Sequence, residues 1–367
     1  MLMNRRLAGM LRLVPIVTLV TLLAAFAGIQ AAQAQSGTCA SSTNGGYTVT
    51  VCITAPATGA TVGGLTTVTA TTSVTGTSPG IGKLVFLLDS TYLLTDYESP
   101  YTFQVPTNTF ANGSHTLSAY ASMRDGFDSA APVVTLNFSN ATTPTPAPAF
   151  APVTPAARPA GQSLIMGAVG DGASGEANAH MVSQMIDGWN PDVFLYLGDV
   201  YEKGTYTEFY NWYGTSTVDY GLIRDVTNPA IGNHEYENGS APGYFKYWNN
   251  PPNYYSYNAG GWHFIAINST SEYSETLLTS TQGKWLVNDL SKNTAPCSIA
   301  YFHHPVLSTG PQGDTTRMNE MWSKLVQSGV DMVITGHDHS YQRWTPLDAN
   351  LNPSPTGTTH FVIGAGG

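Results

Sequence analysis

Between Tyr47 and about Asn140 apolar and polar positions alternate in short runs, TTVTATTSV, KLVFLLD, YTFQV, HTLSAYAS and VVTLNFS, separated by Gly, Asn, Asp and Pro turns. No helical period interrupts them, and strands at this spacing over about a hundred residues predict a β-sandwich. The stretch ATTPTPAPAFAPVTPAARPA that follows has the composition of a Pro-rich linker. Beyond it the pattern changes. SLIMGAVG, the helical ANAHMVSQMIDGW and PDVFLYLGD open an alternation of strands with amphipathic helices. It continues through NPAIGNH, WHFIAIN, SIAYFHH, DMVITGHDH and THFVIGAG, with helices over QGKWLVNDLSK and TRMNEMWSKLVQ. This predicts an α/β domain with polar residues gathered at the strand ends, where such sheets place ligands. The expected organisation is a leader over 1–34, a sandwich over 35–140, a linker over 141–160 and an α/β domain over 161–367.

The leader MLMNRRLAGMLRLVPIVTLVTLLAAFAG sets Arg5, Arg6 and Arg12 beside an apolar run, and Ala32-Gln33-Ala34 follows as a small-residue cleavage pattern. A removable signal peptide is the expectation, with an uncleaved anchor as the alternative, and Arg5-Arg6 leaves twin-arginine export open. No other stretch is long and apolar enough to span a bilayer. The expected location is secreted, periplasmic or cell-surface. In such a compartment Cys39 and Cys52 are expected to pair, whereas Cys297, within an apolar run, is expected to be a buried unreactive thiol.

Only 10% of the 367 residues are charged and the net charge is -10. The composition is that of strand- and loop-rich globular modules, and no basic cluster is present to bind nucleic acid by charge.

The chemistry lies at five strand ends: Gly170-Asp171, Gly198-Asp199, Gly232-Asn233-His234-Glu235, His303-His304-Pro305 and Gly336-His337-Asp338-His339. A single Asp in such a place is usually a cap or a turn former. Five motifs together point to metal, because cations satisfy clustered carboxylates, amides and imidazoles that are costly to bury alone. His337 and His339, two apart, project to one side of an extended segment. The Asp199 carboxylate has two oxygens and can bridge ions roughly 3.5–4 Å apart. Nitrogen and oxygen donors without sulfur favour iron, zinc or manganese.

In this order the motifs resemble the metallophosphoesterase superfamily, and within it the purple acid phosphatases, over residues 161–367. YYSYNAGGWHFIAINS, YFHHPVLSTG and GHDHSYQRW are similar to bacterial secreted members. The resemblance implies two packed mixed sheets flanked by helices, an αββα sandwich. It also implies two metal ions, iron with zinc, manganese or a second iron. Asp171 and His339 would bind the first ion, Asn233, His303 and His337 the second, and Asp199 would bridge them. His303 takes the ligand position because the family's ligand lies two residues before the Pro, which leaves His304 facing substrate. The family's iron-binding tyrosine falls three residues after the bridging Asp, where this chain has Glu202; Tyr201, one residue early, either reaches the ion or leaves it without a tyrosinate. The chain also ends at GAGG where related proteins continue, so a truncated C-terminus is expected. LDSTYLLTDYESPYTF followed by NGSHTLSAYA resembles bacterial immunoglobulin-like modules, for which a spacer is favoured over contact with a cell surface or polymer.

Two cations would neutralise phosphate charge and acidify a bound water, supplying a metal-bound hydroxide for in-line attack with no covalent phosphoenzyme. His234 would protonate the leaving alkoxide, helped by Glu235 or His304. His263 is expected to be structural, and Arg343 either contacts substrate or packs. Hydrolysis of phosphate monoesters is the leading expectation. Its rivals are phosphodiester or nucleotide hydrolysis at the same site and a non-catalytic surface-binding protein.

Overall fold

The alternating runs of the N-terminal half pair into two facing sheets. One has the order β1-β2-β4-β7, from β1 (Thr38–Asn44), β2 (Tyr47–Ala55), β4 (Leu65–Gly76) and β7 (Tyr101–Pro106). The other has the order β3-β9-β8-β5-β6, from β3 (Thr61–Val62), β5 (Ile81–Leu88), β6 (Thr91–Asp96), β8 (Gly113–Met123) and β9 (Val133–Phe138). Period-2 alternation turns Val49, Val51 and Ile53 of one sheet towards the same core as Leu84, Phe86 and Ala119 of the other. Cys39 and Cys52 stand opposite each other in the β1–β2 register and form a disulfide.

The computed structural model describes residues 37–141, 148–156, 159 and 162–367; the expected leader and parts of the linker lie outside them. Among the described residues no helix is long and apolar enough to cross a membrane. Part of the Pro-rich stretch is strapped to the α/β half: Phe150 N–H donates to Asn249 O at 2.9 Å, and Val153 exchanges two hydrogen bonds with the Asn228 side chain.

The α/β half has a parallel three-stranded sheet of β10 (Met166–Val169), β11 (Val193–Tyr196) and β12 (Thr227–Pro229). A six-stranded mixed sheet has the order β13-β14-β15-β16-β18-β17. Its strands are β13 (Tyr255–Ala259), β14 (Trp262–Ala266), β15 (Cys297–Phe302), β16 (Met332–Thr335), β17 (Tyr341–Arg343) and β18 (Thr359–Ile363). Leu195 and Leu197 pack between the sheets against Phe264, Ile299 and Tyr301. The alternate residues Ala300 and Phe302 face outward, onto Leu286 of helix Thr281–Lys292 and onto Met321, Trp322 and Leu325 of helix Asn319–Gln327. Helix Ala177–Gly188 covers the smaller sheet through Ile186, which completes the αββα layering.

The two halves share a core. Leu94 and Phe103 belong to one apolar cluster with Phe209, Trp212 and Tyr213 of the segment that follows β11. Trp212 Nε1 donates to Thr95 O at 3.1 Å, and Asn211 exchanges hydrogen bonds of 2.8 Å each with the backbone of Gln104. These contacts join the two halves across one continuous core. Cys297 is not buried as expected: it starts β15 and is half-exposed, because the strand is covered only from its second residue.

Candidate metal centre

Strands β10, β11, β12, β15 and β16 run parallel within their sheets, so their carboxyl ends deliver the five motifs to one edge of the sandwich. Asp171, Asp199 and His337 take left-handed backbone conformations there, with φ of 62°, 66° and 68°. Gly198 (φ 100°) lets the loops close up behind them: a Cβ at that position would stand 2.6 Å from Gly232 N and 2.9 Å from His303 Nδ1.

The turns bring most of the expected ligands together. His303 Nε2 lies 3.2 Å from Asp199 Oδ2, 3.0 Å from Asn233 Oδ1 and 3.1 Å from His337 Nδ1. The other His303 nitrogen, Nδ1, faces Leu197 O at 2.9 Å, which fixes the ring and turns Nε2 to the centre. Asp171 Oδ1 is 3.7 Å from His339 Nε2. Tyr201, despite its early position, puts its hydroxyl 3.2 Å from Asp171 Oδ1 and 2.9 Å from His339 Nε2. His339 is the most open member, with its side chain 60% exposed, whereas Asp171, Asp199 and His303 are buried.

This donor set fits cations. Asp171, Asp199 and His303 place oxygen and nitrogen atoms within 4.8 Å of one another, and Asn233, His337, His339 and Tyr201 flank them. The electrostatics point the same way. Burial pushes Asp171 up to about 8, moderated by His303 and reinforced by the Asp199 charge. Burial acts on Asp199 in the same sense, but His303 outweighs it and holds that carboxyl at about 2. The two acids overcome burial to lift His303 to about 10. One imidazole thus answers two buried carboxyls, an imbalance that cations relieve.

His234 sits beside this cluster. Its backbone N–H donates to Asp199 Oδ1 at 3.0 Å, its Nδ1 lies 2.6 Å from Glu202 O, and its Nε2 is 3.9 Å from Asp199 Oδ2. Burial lowers its pKa, but Asp199 and the Glu202 carbonyl prevail and raise it. His304 lines a polar cavity of about 440 Å³ together with Asn233, His337 and Arg317. Burial, then His303 and His337, push its pKa down, so it stays a neutral hydrogen-bonding wall with Nδ1 3.1 Å from Ser269 Oγ.

Glu235 is corrected by the structure. Its buried carboxylate accepts the backbone N–H groups of Asp199, Val200 and Gly232, at 3.1, 2.8 and 2.7 Å. It ties two motif loops together and does not face the cavity, so it does not help His234 with a proton. His263 is held between Asn258 Oδ1 (2.7 Å) and Asp289 Oδ2 (2.8 Å). Arg343 lies over the Phe361 ring at 5.6 Å.

Several supporting residues escaped the sequence reading. Tyr196 donates its hydroxyl to Asp199 O at 2.8 Å and accepts from Ala173 N at 3.1 Å. Asp338, between the two His of GHDH, accepts from Gln312 N at 3.0 Å and from the Ser308 hydroxyl, which holds the cavity loop. Glu208 was signalled by the capping box Thr205-x-x-Glu208.

Comparison with known proteins agrees with this architecture. The calcineurin-like phosphoesterase family model matches residues 173–341, and the bacterial Ig domain model matches 50–119. The chain is 29% identical to purple acid phosphatase 15 of Arabidopsis thaliana over 48% of its own length and 40% of the relative's. It is 30% identical to purple acid phosphatase 22 of the same plant over 54% and 49% of the two chains. Among solved structures, purple acid phosphatase PPD1 from yellow lupin (Lupinus luteus) seeds aligns with a TM-score of 0.48 and 14% identity, covering 88% of this chain and 70% of that one. The chain spans less than half the length of these curated relatives. The chain thus matches a bacterial Ig domain model followed by a calcineurin-like phosphoesterase model, and its curated relatives include purple acid phosphatases.

Proposed function

We propose that the chain is a secreted phosphatase that hydrolyses phosphate monoesters at a two-metal centre. The observation that carries this reading is the convergence of Asp171, Asp199, Asn233, His303, His337 and His339 from five strand ends, with interatomic distances of 3.0–3.7 Å among them. Asp171, His339 and Tyr201 would hold one ion, Asn233, His303 and His337 the other, with Asp199 between them. Iron with zinc, manganese or a second iron suits these donors. Bound there, the ions would neutralise phosphate charge and acidify the attacking water.

The chain's own groups do the rest. His234 has Nδ1 committed to Glu202 O, which leaves Nε2 as the atom that hands a proton to the departing alkoxide. His304 and Arg317 border the cavity that receives the ester. The leader pattern over 1–34 and the Cys39–Cys52 bridge support export, since disulfides persist outside the reducing cytoplasm. The Ig-like domain is available for cell-surface or polymer contact.

The test uses the full chain. Metals are counted by elemental analysis, and hydrolysis of 4-nitrophenyl phosphate and of bis(4-nitrophenyl) phosphate is followed before and after chelation. About two metals per chain, with faster monoester turnover that chelation abolishes, support the reading. Faster diester turnover moves the assignment to a phosphodiesterase, and no metal with no hydrolysis overturns it.

A further inference from the structure

A buried carboxylate ties the Ig-like domain to the loop that holds His234. Glu208, fully buried, accepts the Tyr92 hydroxyl of β6 and the backbone N–H groups of Glu202 (2.6 Å), Lys203 (3.1 Å) and Thr205 (2.9 Å). A carboxylate has about four acceptor sites, and all four are used. One donor comes from the N-terminal domain and three from the loop whose Glu202 carbonyl accepts His234 Nδ1. Further ties bind the same loop to the same domain. Thr205 Oγ1 donates to Leu93 O at 2.7 Å, Lys83 Nζ lies 3.8 Å from Glu202 Oε1, and Lys203 Nζ sits over the Tyr92 ring at 5.2 Å. β6 is the edge strand of its sheet, and this loop covers it.

We infer that Tyr92 is a positioning residue for His234, acting through Glu208 and the Glu202–Thr205 loop, so that the Ig-like domain is part of the catalytic apparatus. The inference rests on the phosphatase reading and on His234 as proton donor. Its physical basis is that a hydrogen bond to a buried charge is strong and that an imidazole whose Nδ1 partner shifts loses its aim at the leaving oxygen.

The experiment compares Tyr92→Phe with the wild-type full chain, metal-loaded, on phenyl phosphate and on 2,4-dinitrophenyl phosphate, whose leaving group needs little protonation. The expected result is a kcat about tenfold lower on phenyl phosphate with KM within about twofold, and little change on the dinitrophenyl ester. In a His234→Ala background Tyr92→Phe should add no further loss, because the two act in series. An unchanged kcat, an equal loss on both esters, or losses that multiply in the double variant overturn the inference. Glu208→Gln, which keeps the shape but weakens the acceptor, provides a second variant with a readout independent of turnover. In zinc-loaded protein held at a pH where His234 is neutral, its 15N signals should show one Nδ1-protonated tautomer in the wild type and a mixture in both variants. The same single tautomer in all three proteins overturns the inference. A wild-type chain with no turnover refutes the phosphatase reading alone, and the 15N comparison still decides the positioning.

Discussion

Asp199 Oδ2 stands 3.2 Å from His303 Nε2, both groups fully buried, at the meeting point of the two sheets' loops. Against the pull of burial, His303 holds the Asp199 carboxyl below the usual range, and its second oxygen accepts the His234 N–H. Asp199→Asn keeps the shape and removes the charge between the two proposed ion positions. Steady-state assays should show hydrolysis at least about a thousandfold slower, with metal content reduced. Wild-type turnover by this variant would remove Asp199 from the site.

Metal should also be a folding ligand. Asp171 and Asp199 are buried with His303 as their main compensation, so cations that bind the folded chain raise its melting temperature by mass action. Chelation should lower Tm in calorimetry, and the shift should shrink in Asp199→Asn.

Tyr201 offers a spectroscopic test. Its hydroxyl lies against Asp171 and His339, on the side proposed for the first ion. Iron-loaded protein should absorb in the visible, and Tyr201→Phe should bleach that band while leaving the iron count near the wild-type value.

His360 sets a pH dependence of stability remote from the cavity. It is fully buried on β18, with Nε2 3.1 Å from Thr335 Oγ1, and burial pushes its pKa down to about 3. The folded pKa is below the unfolded one, so the unfolded chain binds the extra proton. Stability from this source is intact above about 6.5 and falls as pH drops towards 3, by a few kcal/mol at most. Urea unfolding of wild type and His360→Phe at stepped pH should show their stability difference moving in the variant's favour as pH falls.

Trp212 tests the joint between the domains. It is 9% exposed, packs in the cluster common to both and bonds Thr95 O. Trp212→Ala should cost about 3–5 kcal/mol, as core aromatic truncations do. The loss should appear in the unfolding of both domains, measured by near-UV circular dichroism and by proteolysis of each half.

The outline of this fold was legible because its signals are local. Alternation in TTVTATTSV and KLVFLLD marked the sandwich, and apolar runs ending in GD, GNHE, HHP and GHDH marked the parallel strands and their loops. What stayed hidden depends on which way a polar group turns after folding. Glu235 stands beside His234 in sequence, yet its carboxylate points back into three amides, and only the path of the 198–200 and 232 loops decides that. The docking of Tyr92 on Glu208 joins residues 116 apart and leaves no periodic trace in either segment. Tyr201 is a similar case: its spacing from Asp199 differs from the family pattern, and only the loop's conformation brings its hydroxyl to His339.

The left-handed turns at Asp171, Asp199 and His337 also govern how the centre can be dissected. Asp, Asn and His tolerate that backbone region better than most side chains, and Ala tolerates it poorly. An alanine scan would therefore mix lost donors with refolded loops, and its activity losses would overstate the chemistry of each side chain. Asp→Asn and His→Asn exchanges keep the turn and change only what it presents. The same restriction narrows the repertoire by which this centre can change over generations: at these three positions the backbone accepts few residues besides those that also suit metal.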